Sequence, residues 1–411
     1  MTKISLITIG SELLKGRIIN TNASKIGTML RPHGYKLSRT VVIPDEEKAI
    51  AKTLRQELED HDLVLISGGL GSTEDDITKK TIARVMGTEL VLHAPTFAYL
   101  KERFEVRKRP FSQRIQQQAF LPANCRVLPN RMGTAPGMLF EIDSSYAISL
   151  PGVPFELMHL MEHEVLPFMK EKLAPGLFQH EILRLAHISE SETADRIQKI
   201  RSNLPETIQI AYLPRKDGLW LELFVESQGQ EKESELLHDL NQTVDTLRAL
   251  FPEKLYTQGD QPLSQLLHAR FLGQQKTLSI AESITGGGIT SELVSQSGAS
   301  NFLKGGICAY DVNIKERVLG VKPETISTYG VVSSEVAEEM AIRVRNLFQT
   351  DIGLATTGWA EPDGSTPPEV WMGYADEVKT ISIHATLYGN RIASIDRAIQ
   401  YAMRLCLVEM E

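Results

Sequence analysis

"DLVLISGGLGS", residues 62–72, is a short apolar run that stops on a pair of glycines. Leu63 to Ile66 suit a strand buried on both faces, and an acidic, threonine-rich helix start follows the glycines. Upstream, "ISLITIG" (4–10) reads as another buried strand, followed by a turn and a helix over Asn22–Leu30. "KLSRTVVIP" (36–44) is a further strand, and Glu46–Glu59 a helix with Ala49, Ile50, Leu54 and Leu58 on one face. Strands alternating with helices of this length predict a parallel α/β sheet. Ligands of such sheets sit beyond the carboxyl ends of the strands, where Gly68–Thr78 falls.

"LAPG" (173–176) marks a boundary. Beyond it the pattern predicts a strand (Ile182–Ile188), a helix (Glu190–Arg201), two strands around "PRKDG" and a charged helix (Gln230–Leu250), a small α+β module without a chemical motif. A second α/β pattern starts near Pro262, with strands Thr277–Ala281, Ile352–Ala355, Val370–Ala375 and Thr380–Leu387 and helices Ser334–Phe348 and Arg391–Glu409. Val336, Met340, Val344 and Phe348 recur every fourth residue, a buried stripe. The expected fold is therefore α/β: two separate α/β domains with mostly parallel sheets (1–172 and 257–411) joined by a small α+β domain (173–256).

Composition bounds the function. The 411 residues are 42% hydrophobic and 23% charged, as in ordinary globular chains, and divide naturally into two or three domains. A net charge of −8 argues against a nucleic-acid-binding surface. Three scattered cysteines (Cys125, Cys308, Cys406) make neither a disulfide framework nor a cysteine zinc site, which points to a reducing cytoplasm. No apolar stretch is long enough to span a membrane, and the N-terminus lacks a signal-peptide cleavage region.

Glycines after a strand let the backbone approach a ligand, and the amides of a following helix start bind anions. In "SGGLGSTEDDITKK" (67–80), Asp75 and Asp76 either hold a hard divalent cation bridging phosphate oxygens or, with Thr73, cap the helix. "ITIGSELLKGRIINTN", "SGGLGSTEDDITK", "NRMGTAPGM" and "LPGVPFEL" together resemble the N-terminal half of the CinA (competence/damage-inducible protein A) family. The resemblance implies the fold of the MoaB/MogA molybdopterin-binding domains. It also implies either pterin binding or metal-dependent cleavage of the pyrophosphate of ADP-ribose. By motif position Asp76 matches the aspartate shared with the cofactor-synthesis branch and Asp75 the extra acid of the CinA branch; both are the expected ligands of magnesium or a similar divalent ion. Gly68, Gly69, Gly71, Thr73 and Thr78 are the expected substrate contacts. Ser72 and Glu74 depart from the family, which more often has proline and a basic residue there; the added negative charge should weaken phosphate binding or raise dependence on metal.

"HLMEH" (159–163) fits the H-x-x-E-H pattern of inverted zinc peptidases. Leu157, Leu160, Met161 and Val165 form the apolar side of that helix, so His159, Glu162 and His163 fall on its solvated face. No zinc site is expected.

"AESITGGGIT" (281–290) sets two hydroxyls beside three glycines directly after a strand. Three uses compete: a hinge, a phosphate cradle at the next helix, or a nucleophile held against oxyanion donors. A hinge needs neither strand nor hydroxyls. The cradle is neither a Walker loop nor a dinucleotide fingerprint. A serine nucleophile needs a base, and a lysine of depressed pKa serves as well as histidine. "AESITGGGIT", "SNFLKGGICAYDVNIKERVLGV", "YGVVSSEVAEEMA" and "GLATTGWAEPDGS" resemble the C-terminal CinA domain, the nicotinamide mononucleotide deamidase family, over about residues 260–411.

That resemblance implies hydrolysis of nicotinamide mononucleotide to nicotinate mononucleotide and ammonia, with no cofactor. Ser283 matches the family nucleophile, and Tyr310 and Lys315 match the other two catalytic residues at the family spacing. Lys315 would accept the serine proton and Tyr310 position or relay it. Loop amides over Thr285, Gly286 and Gly287 would stabilise the oxyanion, worth about 3 kcal/mol per donor. Arg391 would hold the 5′-phosphate. The sequence departs from the family at Trp359 and Glu361, where small residues are usual, and in the shortened "PPEV" (367–370). A charge at Glu361 could close the pocket or repel phosphate. The whole chain thus reads as a bifunctional enzyme of pyridine nucleotide salvage acting on small-molecule nucleotides, a cytoplasmic homodimer without nucleic-acid or membrane partners. The alternative is a non-catalytic pterin- or nucleotide-binding regulator with a degenerate amidase domain.

Overall fold

The computed structural model describes residues 2–71, 77–227, 232–362 and 366–410. Contacts divide the chain into two compact units, residues 1–179 with 225–237, and residues 180–224 with 238–411. Both are mixed α/β structures built on sheets with parallel centres.

In the first unit, strands β1 (Ile4–Ile9), β2 (Leu37–Ile43) and β3 (Leu63–Ser67) are followed by a separate two-stranded pair, β4 (Leu90–Leu92) and β5 (Phe120–Pro122). Strands β6 (Arg126–Leu128), β7 (Gly137–Ile142) and β8 (Ser145–Leu150) complete a six-stranded sheet of order β2-β1-β3-β8-β7-β6. The first four strands in that order run parallel, and β7 and β6 antiparallel. Every residue of β1 and β3 is buried because helices cover both faces. The helix Thr21–Leu30 turns Ile26 and Leu30 onto one face, against Leu157 and Leu160. Helix Glu47–Asp60 turns Ile50 and Leu54 onto the other, against Ile82 and Phe140. Each such side chain contributes about 2 kcal/mol on burial. Helix Glu47–Asp60 also buries Glu57, whose carboxylate accepts from Ser5 Oγ (2.6 Å) and pairs with Arg39 (3.1 Å).

The second unit opens within β9 (Leu177–Leu185), which with β10 (Gln209–Arg215), β11 (Gly218–Ser227) and β12 (Leu255–Gln258) forms a sheet of order β10-β11-β9-β12. The module expected over 173–256 thus has a fourth strand running across its expected end.

The last sheet has order β14-β13-β15-β16-β17, with β13 (Leu278–Glu282), β14 (Leu303–Cys308), β15 (Ile352–Trp359), β16 (Glu369–Ala375) and β17 (Thr380–Thr386). Strands β14, β13 and β15 are parallel; β16 and β17 form an antiparallel edge. Helices Leu263–Gln274, Gly288–Val294 and Arg391–Glu409 cover one face through Phe271, Ile289, Leu293 and Ala402. Helix Ser334–Phe348 covers the other with the expected stripe of Val336, Met340 and Val344. Ser333 caps it, accepting from Val336 N at 3.3 Å.

Strand β14 is absent from the sequence reading because "LKGGIC" has two glycines, poor strand formers. Packing explains them: a Cβ on Gly305 would lie 2.4 Å from the Phe348 ring, and one on Gly306 2.4 Å from Thr290 Oγ1. No helix among the described residues is long and apolar enough to cross a membrane.

Candidate functional site

Ser283 follows β13 directly, and its amide donates to Thr356 O of β15 (3.0 Å), which extends the sheet by one rung. Lys315 arrives from the strand-to-helix connection after β14, at the first residue of a π-helical turn (Lys315–Leu319). Asp311 sets that turn up by accepting from Asn313 N at 2.8 Å. Lys315 Nζ lies 2.9 Å from Ser283 Oγ and donates to Ala309 O at 2.7 Å. The lysine is 1% exposed. Burial without a directly bonded carboxylate pushes its pKa down to about 8, with Asp311 opposing the shift weakly. A buried amine of that basicity, bonded to a buried hydroxyl, can remove the hydroxyl proton near neutral pH.

The glycines have structural duties. Gly286 and Gly287 adopt left-handed backbone (φ +58° and +96°), and a Cβ on Gly288 would sit 2.3 Å from Ile399 Cδ1. Their amides do not await a ligand. Gly286 N donates to Ser283 O (3.1 Å) and Gly288 N to Thr285 O (2.9 Å). The Glu282 carboxylate accepts from Gly287 N (3.0 Å), Ile289 N (3.0 Å), Thr290 N (2.9 Å) and Thr290 Oγ1 (2.6 Å). Glu282, 1% exposed, occupies the helix start that a phosphate cradle would have used.

The Gly286 and Gly287 amides, expected to stabilise an oxyanion, are therefore already paired within the protein. Thr285 bonds its hydroxyl to Thr356 Oγ1 (2.8 Å), which leaves its amide in place for that role. Among the described residues, the loop amides without a protein acceptor are those of Ile284 and Thr285.

Tyr310 differs from its expected place. Its carbonyl accepts from Lys315 Nζ (3.4 Å), but the ring is 63% exposed and its hydroxyl accepts from Arg391 Nη2 (3.1 Å). Among the described residues the phenol bonds neither Ser283 nor Lys315. Arg391 also donates to Glu361 Oε2 (3.1 Å). The cation expected to bind phosphate is thus already paired with the carboxylate that departs from the family.

In the first unit, a cleft of about 540 Å3 opens beyond the carboxyl ends of β1, β3 and β8. Gly68, Gly69 and Gly71 line it, together with Asn22, Asp45 and Glu156. Gly68 has φ +108°, and a Cβ there would lie 2.3 Å from Ile9 O, so only glycine lets the two strand ends meet. Thr78 begins a helix and is buried behind Gly69; it does not line the cleft, and its hydroxyl has no partner among the described residues. Asn22 donates to Gly152 O (2.9 Å) and Ser67 Oγ (3.2 Å), leaving its own Oδ1 buried and without a donor among the described residues.

Thr73, Glu74, Asp75 and Asp76 lie outside the described residues. The carboxylates that do line the cleft, Glu12, Asp45 and Glu156, offer oxygen donors suited to a hard divalent cation. Asp45 already accepts from Ser11 N (2.8 Å) and Glu156 from Asn130 (2.6 Å). No group of three metal-binding side chains is assembled among the described residues, at the cleft or at His159–Glu162–His163.

Two family models match separate parts of the chain. Residues 260–410 match the family model described as "CinA C-terminal domain", and residues 5–171 the model described as "Probable molybdopterin binding domain". A CinA-like protein of Flavobacterium psychrophilum is 35% identical over 414 residues, 99% of this chain and 98% of its own length. The chain belongs to the CinA family. The CinA-like protein of Cytophaga hutchinsonii is also 35% identical, over 94% of this chain and 93% of its own. A crystal structure of CinA from Thermoplasma acidophilum is 36% identical, covering 42% of this chain and 98% of that chain, with a TM-score of 0.38.

Within this CinA chain the structure joins Ser283 to Lys315 and joins Arg391 to Tyr310 and Glu361. Sequence reasoning missed Glu282, although a carboxylate ending an apolar strand just before a glycine turn was the available signal. It also missed Asn22, at the start of helix Thr21–Leu30, and Asp45, just after β2, which the fold brings to the same cleft as Gly68.

Proposed function

We propose that the C-terminal part of this CinA-family chain is an amidohydrolase acting on nicotinamide mononucleotide, with Ser283 as nucleophile and Lys315 as general base. The observation that carries this reading is the buried contact of 2.9 Å between Lys315 Nζ and Ser283 Oγ. Neutral Lys315 takes the hydroxyl proton as Oγ attacks the carboxamide carbon. The amides of Ile284 and Thr285 are the donors left for the oxyanion. Lys315 then passes the proton to the departing nitrogen, so that ammonia leaves and an acyl-serine remains. Water, deprotonated by the same amine, cleaves the acyl-serine, yielding nicotinate mononucleotide and returning the proton to Oγ. Glu282 would position Ser283 by pinning the next turn, and Arg391, bonded to Tyr310, would meet the phosphate. Ammonia release from nicotinamide mononucleotide tests this reading: Ser283→Ala should lower it at least about a thousandfold with the fold intact. Near wild-type turnover in that variant would remove the nucleophile.

For the N-terminal part we propose binding of ADP-ribose in the glycine-lined cleft and its cleavage to AMP and ribose 5-phosphate. Asp75 and Asp76 would hold a divalent cation, which supplies charge neutralisation at the pyrophosphate. The unpaired Oδ1 of Asn22 suits a ribose hydroxyl or a pterin N–H equally. The second reading, a pterin-binding domain, draws its support from the description of the matching family model.

A further inference from the structure

The second unit holds another cleft, of about 620 Å3, between the β9–β12 sheet and the C-terminal helix and strand β17. Neither Ser283 nor Lys315 lines it. Its polar wall comprises His187, Arg215, His384 and Arg404, and its aromatic wall Tyr388 and Tyr401. Arg404 is its anchor. It projects from helix Arg391–Glu409 and is 7% exposed. Nη1 donates to Asp217 O (2.6 Å) and Nη2 lies 3.3 Å from His187 Nε2. Its guanidinium carbon is 4.7 Å from the Tyr401 ring and 5.5 Å from that of Tyr256.

Both hydrogen-bond partners are neutral acceptors. No carboxylate among the described residues comes within salt-bridge distance of Arg404. The nearby Asp217 carboxylate is committed to Trp220 Nε1 (3.0 Å), the Tyr256 hydroxyl (2.6 Å) and Arg184 (3.7 Å). A buried guanidinium whose nearby carboxylate, Asp217, acts on it only at a distance is costly, and it retains N–H groups beyond the two used. Arg215 adds a second guanidinium at the rim, against one carboxylate, Glu190, among the described lining residues. The cleft also holds local strain, since His187 sits in left-handed backbone (φ 54°).

We propose that this cleft binds a small phosphorylated aromatic anion of mononucleotide size, with the phosphate on Arg404 and Arg215 and the ring against Tyr388 and Tyr401. Its volume suits such a ligand, guanidinium forks match phosphate oxygens, and tyrosine rings give a planar base a stacking wall. The site is separate from the glycine-lined cleft and from the serine–lysine pair, and it stands whether or not either of those turns over.

Hydrogen exchange read by mass spectrometry on the full chain locates the ligand. Millimolar AMP should slow exchange at residues 186–190 and 384–388, and adenosine, which lacks the phosphate, should not. Arg404→Lys and Arg215→Ala should each weaken the AMP effect at least about tenfold. Arg215 lies at the exposed rim, so its variant keeps the test decisive even if Arg404→Lys fails to fold. Protection by AMP confined to the glycine-lined cleft, protection by adenosine equal to that by AMP, or protection unchanged in Arg215→Ala would each overturn the assignment.

Discussion

Replacing Lys315 by methionine separates the chemistry of the amine from its packing. Methionine keeps the length of the buried stem and loses the amine that meets Ser283 Oγ and Ala309 O. With the folded pKa near 8, about one lysine in eleven is neutral at pH 7, half at pH 8 and about ten in eleven at pH 9. The wild-type rate of ammonia release at low nicotinamide mononucleotide should therefore rise about fivefold from pH 7 to 8 and less than about twofold more by pH 9. Lys315→Met should lose at least about a thousandfold and the ascending limb with it.

Stability carries an independent signature. The folded pKa lies below the ordinary 10.5, so between about pH 8 and 10.5 the unfolded chain binds the extra proton and wild-type stability rises with pH. The full span is about 3 kcal/mol, an order of magnitude for a group this buried. Urea melts at pH 7.5 and 10, compared between wild type and variant, isolate it, because the methionine protein lacks that component. An activity profile flat from pH 6.5 to 9, or a variant within about tenfold of wild type, would refute the base assignment.

Glu282→Gln should cost about 1–3 kcal/mol, because one amide oxygen cannot replace a carboxylate that accepts four hydrogen bonds; turnover should fall while KM stays close to wild type, and an unchanged melting curve with unchanged turnover would count against its positioning role. Glu361→Gly should release Arg391 and lower KM for nicotinamide mononucleotide by up to about fivefold, the scale of an exposed ion pair, with turnover unaltered. That difference should shrink as salt rises, and equal KM values at low salt would retire the idea. ADP-ribose cleavage should stop with EDTA and in Asp76→Asn with the circular dichroism spectrum intact; metal-independent cleavage would remove the acids from that role.

Sequence by itself determined most of the elements and the family. Apolar runs such as Leu63–Ile66, and stripes such as Val336, Met340 and Val344, are local signals whose period follows from strand or helix geometry. Glycines placed directly after strands marked both candidate sites for the same local reason: a backbone path open to left-handed φ. Ser283 and Lys315 were singled out through the resemblance of their motifs to the C-terminal CinA family, and the fold brings the two side chains within 2.9 Å.

Tertiary structure alone decided which groups remain free to act. Glu282 could not be seen taking the loop amides, since a buried carboxylate is tolerated only where donors converge in space. The Tyr310 hydroxyl meets Arg391 rather than the lysine, and Arg391 meets Glu361, across separations that no periodicity records. Strand β14 stayed hidden because Gly305 and Gly306 make room for Phe348 and Thr290, which pack against it from elements distant in sequence. Arg404 reads as an ordinary polar position on a helix until the fold buries it beside Tyr256 and Tyr401 without a direct salt bridge among the described residues. Propensity and pattern act over a few residues, whereas pairing, desolvation and access depend on which distant segments the fold brings into contact.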